Sequence, residues 1–203
     1  MRRTTLLGLG LIAAPVAAQA TVHAVSTMHI EVAVTADLNG DGLDDSAMVV
    51  GDGGRRELRV VTSYRSETDS GENPPQVLPL DPGPLGDAVL EVKGDVLLLK
   101  ELTGGTTAVA STHRFRWDGK LGAMRLIGLD ATLYSRTFAH DGREASWNLL
   151  TGDLTSHRLK LRGDDSDVAY DEVDRQRKKK RSAPLRLERS PSGDDLLGWP
   201  GAK

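Results

Sequence analysis

Apolar and polar residues alternate with a period of two along much of this chain, whereas the spacing of an amphipathic helix is nearly absent. In the first such segment Met28, Ile30 and Val32 share one face, and His29 and Glu31 share the other. Successive side chains of a β-strand point to opposite faces of its sheet, so this spacing is typical of a half-buried strand. The pattern therefore predicts a chain built from strands.

Glycine-rich and aspartate-rich turns separate about eight strand candidates between residues 28 and 161, and one such turn is Lys93-Gly94-Asp95. Short strands with frequent turns predict an all-β fold, as an antiparallel meander, a sandwich or an open barrel. Residues 66–86 contain five prolines. Because proline cannot donate to a sheet ladder, we expect an irregular surface connection there.

The N-terminus has the pattern of a secretory signal peptide. Arg2 and Arg3 are followed by an apolar stretch over residues 6–16 and by Ala-Gln-Ala at 18–20. The apolar stretch is shorter than the ~20 residues of a membrane-spanning helix, so we expect cleavage after Ala20 and no stable membrane insertion afterwards. A periplasmic or secreted location follows from this prediction.

Composition limits what the exported part is expected to do. Removing residues 1–20 takes the chain from 203 residues and a net charge of −3 to 183 residues and −5. A mildly acidic domain is a poor match for a nucleic-acid partner, which favours an excess of Lys and Arg. The chain has no cysteine, so disulfides cannot stabilise it, although an oxidising compartment would permit them.

The predicted domain division is a signal peptide at 1–20, a single β-domain at 21–162 and a charged tail at 163–203. Six acidic residues lie between 164 and 174, and residues 175–181 read RQRKKKR. Dense runs of like charge are usually solvated, so we expect a largely disordered tail. Residues 184–187 are the exception, because they suit a short edge strand.

The strongest local motif is an acidic loop over residues 37–45, which reads DLNGDGLDD between two strand patterns. Calcium prefers six to eight oxygen ligands, which alternate residues of a tight loop can supply. Gly42 lies where the loop must turn sharply. The predicted calcium ligands are the side chains of Asp37, Asn39, Asp41 and Asp45 and the backbone carbonyl of Leu43. The alternative is a solvated turn without an ion, since Asn-Gly and Asp-Gly are common turn formers.

This motif resembles the FG-GAP and VCBS type of calcium-binding β repeat, in which DxNxDGxxD lies between two strands. The similarity covers residues 30–61 and implies a structural calcium ion within a β unit. An EF-hand is a poorer match, because its twelfth loop position needs a Glu where this chain has Met48. Only one copy of the repeat is present, whereas a propeller needs at least about four blades.

Catalytic signatures are absent from the sequence: it contains no GxSxG, HExxH or P-loop pattern. His113 shares a face with Phe115 and Trp117, an arrangement more typical of a packed core than of chemistry. The sequence therefore favours a non-enzymatic, calcium-binding β-domain of the cell envelope whose partner is a protein or an envelope polymer. The alternative is a periplasmic hydrolase whose acidic residues gather around His113 or His140 only in the folded chain.

Overall fold

The computed structural model describes residues 28–163 and 169–199, and the predicted signal peptide lies outside these residues. The described part contains fourteen strands and one short α-helix. In chain order the elements are β1 His29–Ala36, β2 Asp45–Gly51, β3 Arg56–Val61, β4 Ser63–Arg65, β5 Ser70–Glu72, β6 Gln76–Leu80, β7 Val89–Lys93, β8 Val96–Gly104, β9 Thr107–Asp118, β10 Ala123–Ser135, β11 Gly142–Asn148, β12 Asp153–Leu161, β13 Tyr170–Lys179, β14 Leu185–Arg186, a 3₁₀ turn Leu187–Arg189 and α1 Gly193–Leu197.

The strands form two antiparallel sheets and a small ribbon. The small sheet has the order β1-β2-β3-β6, and the large sheet has the order β13-β12-β11-β10-β9-β8-β7 with β14 paired to β10. Strands β4 and β5 form the separate ribbon. The all-β antiparallel prediction is confirmed, and the architecture is that of two meanders packed as a sandwich.

The core lies between the inner faces of the two sheets. In β3 the residues Leu58 and Val60 are fully buried while Arg59 between them is partly exposed, as a period of two requires. Opposite them, the large sheet contributes a row of buried apolar side chains that includes Leu99 and Phe115. Burial of each such side chain contributes about 1.5–3 kcal/mol to folding.

A buried ion-pair triad joins the two sheets. The Arg56 guanidinium donates two hydrogen bonds to the carboxylate of Glu31, at 2.7 and 2.8 Å, and one to Glu101 at 2.6 Å. Glu31 and Arg56 belong to the small sheet and Glu101 belongs to the large sheet. Hydrogen bonding to Arg56 holds the pKa of Glu31 below its usual value, whereas burial raises the pKa of Glu101.

Strand β6 corrects the prediction for residues 66–86. This segment is not irregular throughout, because residues 76–80 pair with β3 at the edge of the small sheet. Pro79 is tolerated in the strand since β6 has no neighbour on its other side in the described chain, and a missing N–H therefore costs little there.

The C-terminal segment corrects the prediction of a disordered tail. Strand β13 carries much of the acidic and basic blocks and pairs with β12 over nearly its whole length. Its acidic half lies opposite Arg158 and Lys160, and its basic half lies near Asp153, which accepts ion pairs from Arg177 and Lys179. The acidic and basic blocks of β13 therefore lie near opposite charges on β12, which offsets the repulsion between like charges within each block.

Residues 185–199 then return across the large sheet and complete the core. Leu187 is fully buried and Leu197 is nearly so. At the start of α1, a Cβ on Gly193 would lie 2.8 Å from Cβ of Ser111, so only glycine permits this close approach to β9. The domain thus extends beyond residue 162 to at least residue 199.

Candidate functional site

The acidic loop connects β1 to β2 at one end of the small sheet. Gly40 and Gly42 both have a φ of +80°, a left-handed conformation that carries a steric penalty for other residues. These two glycines turn the backbone twice within three residues. The sequence therefore placed the turn correctly at Gly42 and missed the second one at Gly40.

Backbone N–H groups of the loop point at its own acidic side chains. Asp37 accepts hydrogen bonds from the amides of Gly40 at 2.7 Å, Asp41 at 3.2 Å and Gly42 at 2.9 Å. Asp41 in turn accepts from the Leu43 amide at 2.8 Å. The chain is thereby wrapped around the Asp37 carboxylate. Oδ1 of Asp37 accepts two of these bonds, whereas Oδ2 of Asp37 and Oδ1 of Asp41 accept one each and retain a lone pair for a further partner.

Asp45 anchors the loop to the sandwich. Its carboxylate is almost fully buried and accepts from the amides of Leu38 at 2.8 Å, Asn39 at 3.1 Å and Ser63 at 2.7 Å. Leu38 is also buried, whereas its neighbours in the loop remain partly or fully exposed. The ninth loop position is therefore fixed from both sides, by the start of the loop and by the start of β4.

Asn39 connects the other predicted ligands. Its amide oxygen accepts from the Asp41 amide at 2.9 Å. Its amide nitrogen donates to the Asp41 carboxylate at 3.0 Å and to the Ser63 carbonyl at 3.2 Å. Asn39 therefore presents its amide nitrogen to the Asp41 carboxylate and its amide oxygen to the Asp41 backbone N–H.

The structure brings the predicted ligands into one loop without assembling them into a closed cage. Across residues 28–163 and 169–199, no three His, Asp or Glu side chains converge as a group that could hold a metal ion. The donor chemistry nevertheless suits calcium, since the loop offers carboxylate and carbonyl oxygens and no nitrogen or sulfur ligands other than the Asn39 amide. Within the described chain, no Lys or Arg forms an ion pair with Asp37, Asp41 or Asp45.

His113 lies in the core, as its place beside Phe115 predicts. The two rings are stacked with centroids 5.9 Å apart, and His113 is only 3% exposed. Its Nε2 is 2.9 Å from the carbonyl oxygen of Pro191, which can only accept, so Nε2 carries the proton. Burial lowers the pKa of His113 and keeps the ring neutral.

His140 is arranged differently. Its Nδ1 lies 2.7 Å from the carbonyl oxygen of Asp141 and therefore donates, so its Nε2 accepts from the Thr107 hydroxyl at 2.8 Å. His140 also lines a cleft of about 470 Å³ that contains His157, Asp141 and Glu144. The cleft thus gathers two histidines and two carboxylates from β11, β12 and the loop that precedes β11.

Two functional elements escaped the reasoning from sequence. The Glu31–Arg56–Glu101 triad escaped because Arg56 opens an ordinary strand pattern and its partners lie 25 and 45 residues away. The packing of the C-terminal segment against the sandwich escaped because residues 163–203 were expected to be largely disordered, with only a short edge strand at 184–187. The Ser-x-x-Asp capping box at Ser192 and Asp195 was the available signal for α1.

Comparison of the chain with protein-family models, curated proteins and solved structures finds no match. In residues 28–163 and 169–199, no helix has the length and apolar character needed to cross a bilayer. The FG-GAP and VCBS resemblance is neither supported nor opposed by these comparisons, so it stays a prediction.

Proposed function

We propose that this protein is an exported, non-enzymatic β-domain that binds calcium through the loop at residues 37–45 and acts as a binding or structural module of the cell envelope. The observation that carries the proposal is the loop itself. Asp37 and Asp41 gather backbone N–H groups around a tight double turn, and buried Asp45 ties that turn to β4. The negative charges of Asp37 and Asp41 face solvent, and neither residue has a basic partner in the described chain.

Calcium binding requires a rearrangement within the loop, because its carboxylates do not converge in this structure. The Asn39 amide must turn its oxygen toward the ion, which replaces the Asn39 hydrogen bond to the Asp41 carboxylate with shared coordination. Asp37, Asp41 and Asp45 would supply carboxylate oxygens, and Leu43 would supply its carbonyl. The ion would stabilise the β1–β2 connection of a domain that has no disulfide.

The location and the partner belong to the same proposal. The signal-like residues 1–20 support export to the periplasm or beyond, and the acidic exported part argues against nucleic acid. A protein or an envelope polymer is then the partner class.

Calcium is expected to raise the thermal stability of the protein. For a site with a dissociation constant of about 10⁻⁴–10⁻³ M, as in extracellular modules, a tenfold excess of calcium over that constant adds about 1.4 kcal/mol. For a domain of this size the increase in melting temperature is about 3–6 °C. Calorimetry with and without calcium measures it.

Asp41→Ala should abolish this increase, and Asp95→Ala should retain it. Asp95 is an exposed acidic residue in the β7–β8 turn, so its removal controls for net charge. Magnesium should give a smaller effect, because it demands a stricter octahedral geometry. An equal calcium effect in Asp41→Ala and wild type would falsify the loop assignment.

The hydrolase alternative has one observation in its favour, the hydrogen-bonded pair of Thr107 and His140. A hydroxyl, a base and an acceptor that orients the base are the parts of an activated nucleophile. We expect wild-type protein to cleave a p-nitrophenyl ester no faster than Thr107→Val does, with Thr103→Val as the matched control. A wild-type rate that exceeds that of Thr107→Val by about 10²-fold or more would instead establish the alternative.

A further inference from the structure

A second cavity, separate from the calcium loop, lies where the C-terminal segment crosses the open end of the sandwich. Its volume is about 300 Å³. Leu78 of β6 and Val109 of β9 contribute apolar walls, and the stretch from Glu188 to Asp195 closes one side. We call it the His113 cavity, because His113 is among the residues that line it.

The charge of the His113 cavity is entirely of one sign. Asp81, Glu101, Glu188, Asp194 and Asp195 line it, and no Lys or Arg is among its described lining residues. Four of these carboxylates already have partners: Glu101 accepts from Arg56, Asp81 from the Gly83 amide, Glu188 from Arg186 and Asp195 from the Ser192 cap.

Asp194 is the exception. No donor within residues 28–163 and 169–199 reaches its carboxylate in the hydrogen bonds and ion pairs of the structure, and burial together with the nearby charges of Asp81 and Asp195 raises its pKa. Arg56, the partner of Glu101, already uses four of its five N–H donors on Glu31, Glu101 and the Asp81 carbonyl. Asp194 therefore has the capacity to accept a cation that the chain itself does not supply.

Within the described part of the chain, two buried atoms beside this cavity also have no hydrogen-bond partner. They are Nδ1 of His113 and Oγ of Ser190, and both residues line the cavity. Because Nε2 of His113 carries the proton, its Nδ1 is an acceptor that needs a donor. A buried polar atom without a partner costs about 1–3 kcal/mol, so an occupant that donates hydrogen bonds would relieve this cost.

From these groups we infer that the His113 cavity binds a primary alkylammonium group, such as the end of a lysine side chain or of an aliphatic amine. An ammonium carries three N–H donors and one positive charge, which match the unpaired Asp194 carboxylate and the acceptor Nδ1 of His113. The attached methylenes would lie against Leu78 and Val109. A cavity of this volume is at the small end of ligand sites, so it suits one such chain and not a large molecule.

Other classes of occupant fit less well. An anion would meet five carboxylates and no Lys or Arg among the described lining residues, and a neutral apolar molecule would leave the unpaired acceptors unsatisfied. The inference does not depend on the calcium proposal, since the loop and the cavity share no residue.

The test compares n-butylammonium with n-butanol, which has a chain of similar length and one O–H donor but no charge. Full-length protein is titrated with each compound and followed by NMR, including the ¹⁵N resonance of His113 Nδ1. We expect n-butylammonium to bind, to shift that resonance and to bind about tenfold or more weaker in Asp194→Asn. n-Butanol should bind at least about tenfold weaker than n-butylammonium to wild type.

Two matched variants complete the test. Asp95→Asn removes a distant negative charge and should leave binding unchanged, and Asp41→Ala should also leave it unchanged, which separates this inference from the calcium proposal. Equal binding of n-butylammonium and n-butanol, an unmoved Nδ1 resonance, or undiminished binding in Asp194→Asn each overturns the inference. Asp194→Asn is a near-isosteric change at a partly exposed residue, so the variant retains the fold.

Discussion

Replacing Arg56 with methionine is expected to lower the free energy of unfolding by about 3–5 kcal/mol. The Arg56 side chain is 4% exposed and that of Glu101 is 7% exposed, so the substitution leaves a carboxylate in the core without its counter-charge. Glu31 also loses both hydrogen bonds from the guanidinium. Chemical denaturation monitored by circular dichroism measures the loss.

Arg59→Met is the matched control for this prediction. Arg59 lies in the same strand and pairs with Glu57, but its side chain is 40% exposed, so its loss should cost at most about 1 kcal/mol. A triple variant with Arg56→Met, Glu31→Leu and Glu101→Leu should recover much of the stability, because apolar residues often replace a buried ion pair without loss. If Arg56→Met were no more damaging than Arg59→Met, the triad would not join the sheets.

Replacing Leu187 with alanine is expected to cost about 2–5 kcal/mol, as for other fully buried leucines. The residue follows β14 and packs into the core between the sheets, although it lies in a stretch whose sequence resembles a solvated tail. Its truncation would leave a cavity under the C-terminal segment. Differential scanning calorimetry should show the loss as a lower melting temperature.

Leu150→Ala serves as the control, because Leu150 is 48% exposed in the β11–β12 turn. Its effect should stay within about 0.5 kcal/mol. Equal effects of the two substitutions would mean that residues 185–199 do not contribute to the stable core. Because part of this segment forms one side of the His113 cavity, the same result would also weaken the amine-binding inference.

The sequence predicted the strands well where burial is one-sided. In β3 and β9, polar residues alternate with apolar ones, and the structure places the apolar set inward at Leu58 and Phe115. The Lys93-Gly94-Asp95 turn was also predicted correctly, since the chain reverses between β7 and β8 with Gly94 at a φ of +63°. These features are local, so neighbouring residues carry all the information they need.

The sequence was misleading where a segment is stabilised by distant partners. Residues 175–179 resemble a solvated basic run, but β12 provides a complementary edge and Asp153, whose pKa is lowered to about 2 chiefly by its hydrogen bond to Lys179. Strand β6 was missed because its proline, Pro79, is acceptable only at the edge of a sheet. Whether a strand lies at an edge is a property of the folded chain.

For the candidate sites the division is similar. The sequence by itself determined the acidic loop and its turn at Gly42, because such a turn depends on neighbouring residues alone, whereas the calcium ligands stay a prediction. Only the tertiary structure decided that Asp45 is locked to Ser63, that Arg56 joins the two sheets, and that His113, Asp194 and Ser190 line one cavity. These contacts join residues 18 to 81 positions apart, and such pairs come together only when the packing of both sheets and the C-terminal segment is complete.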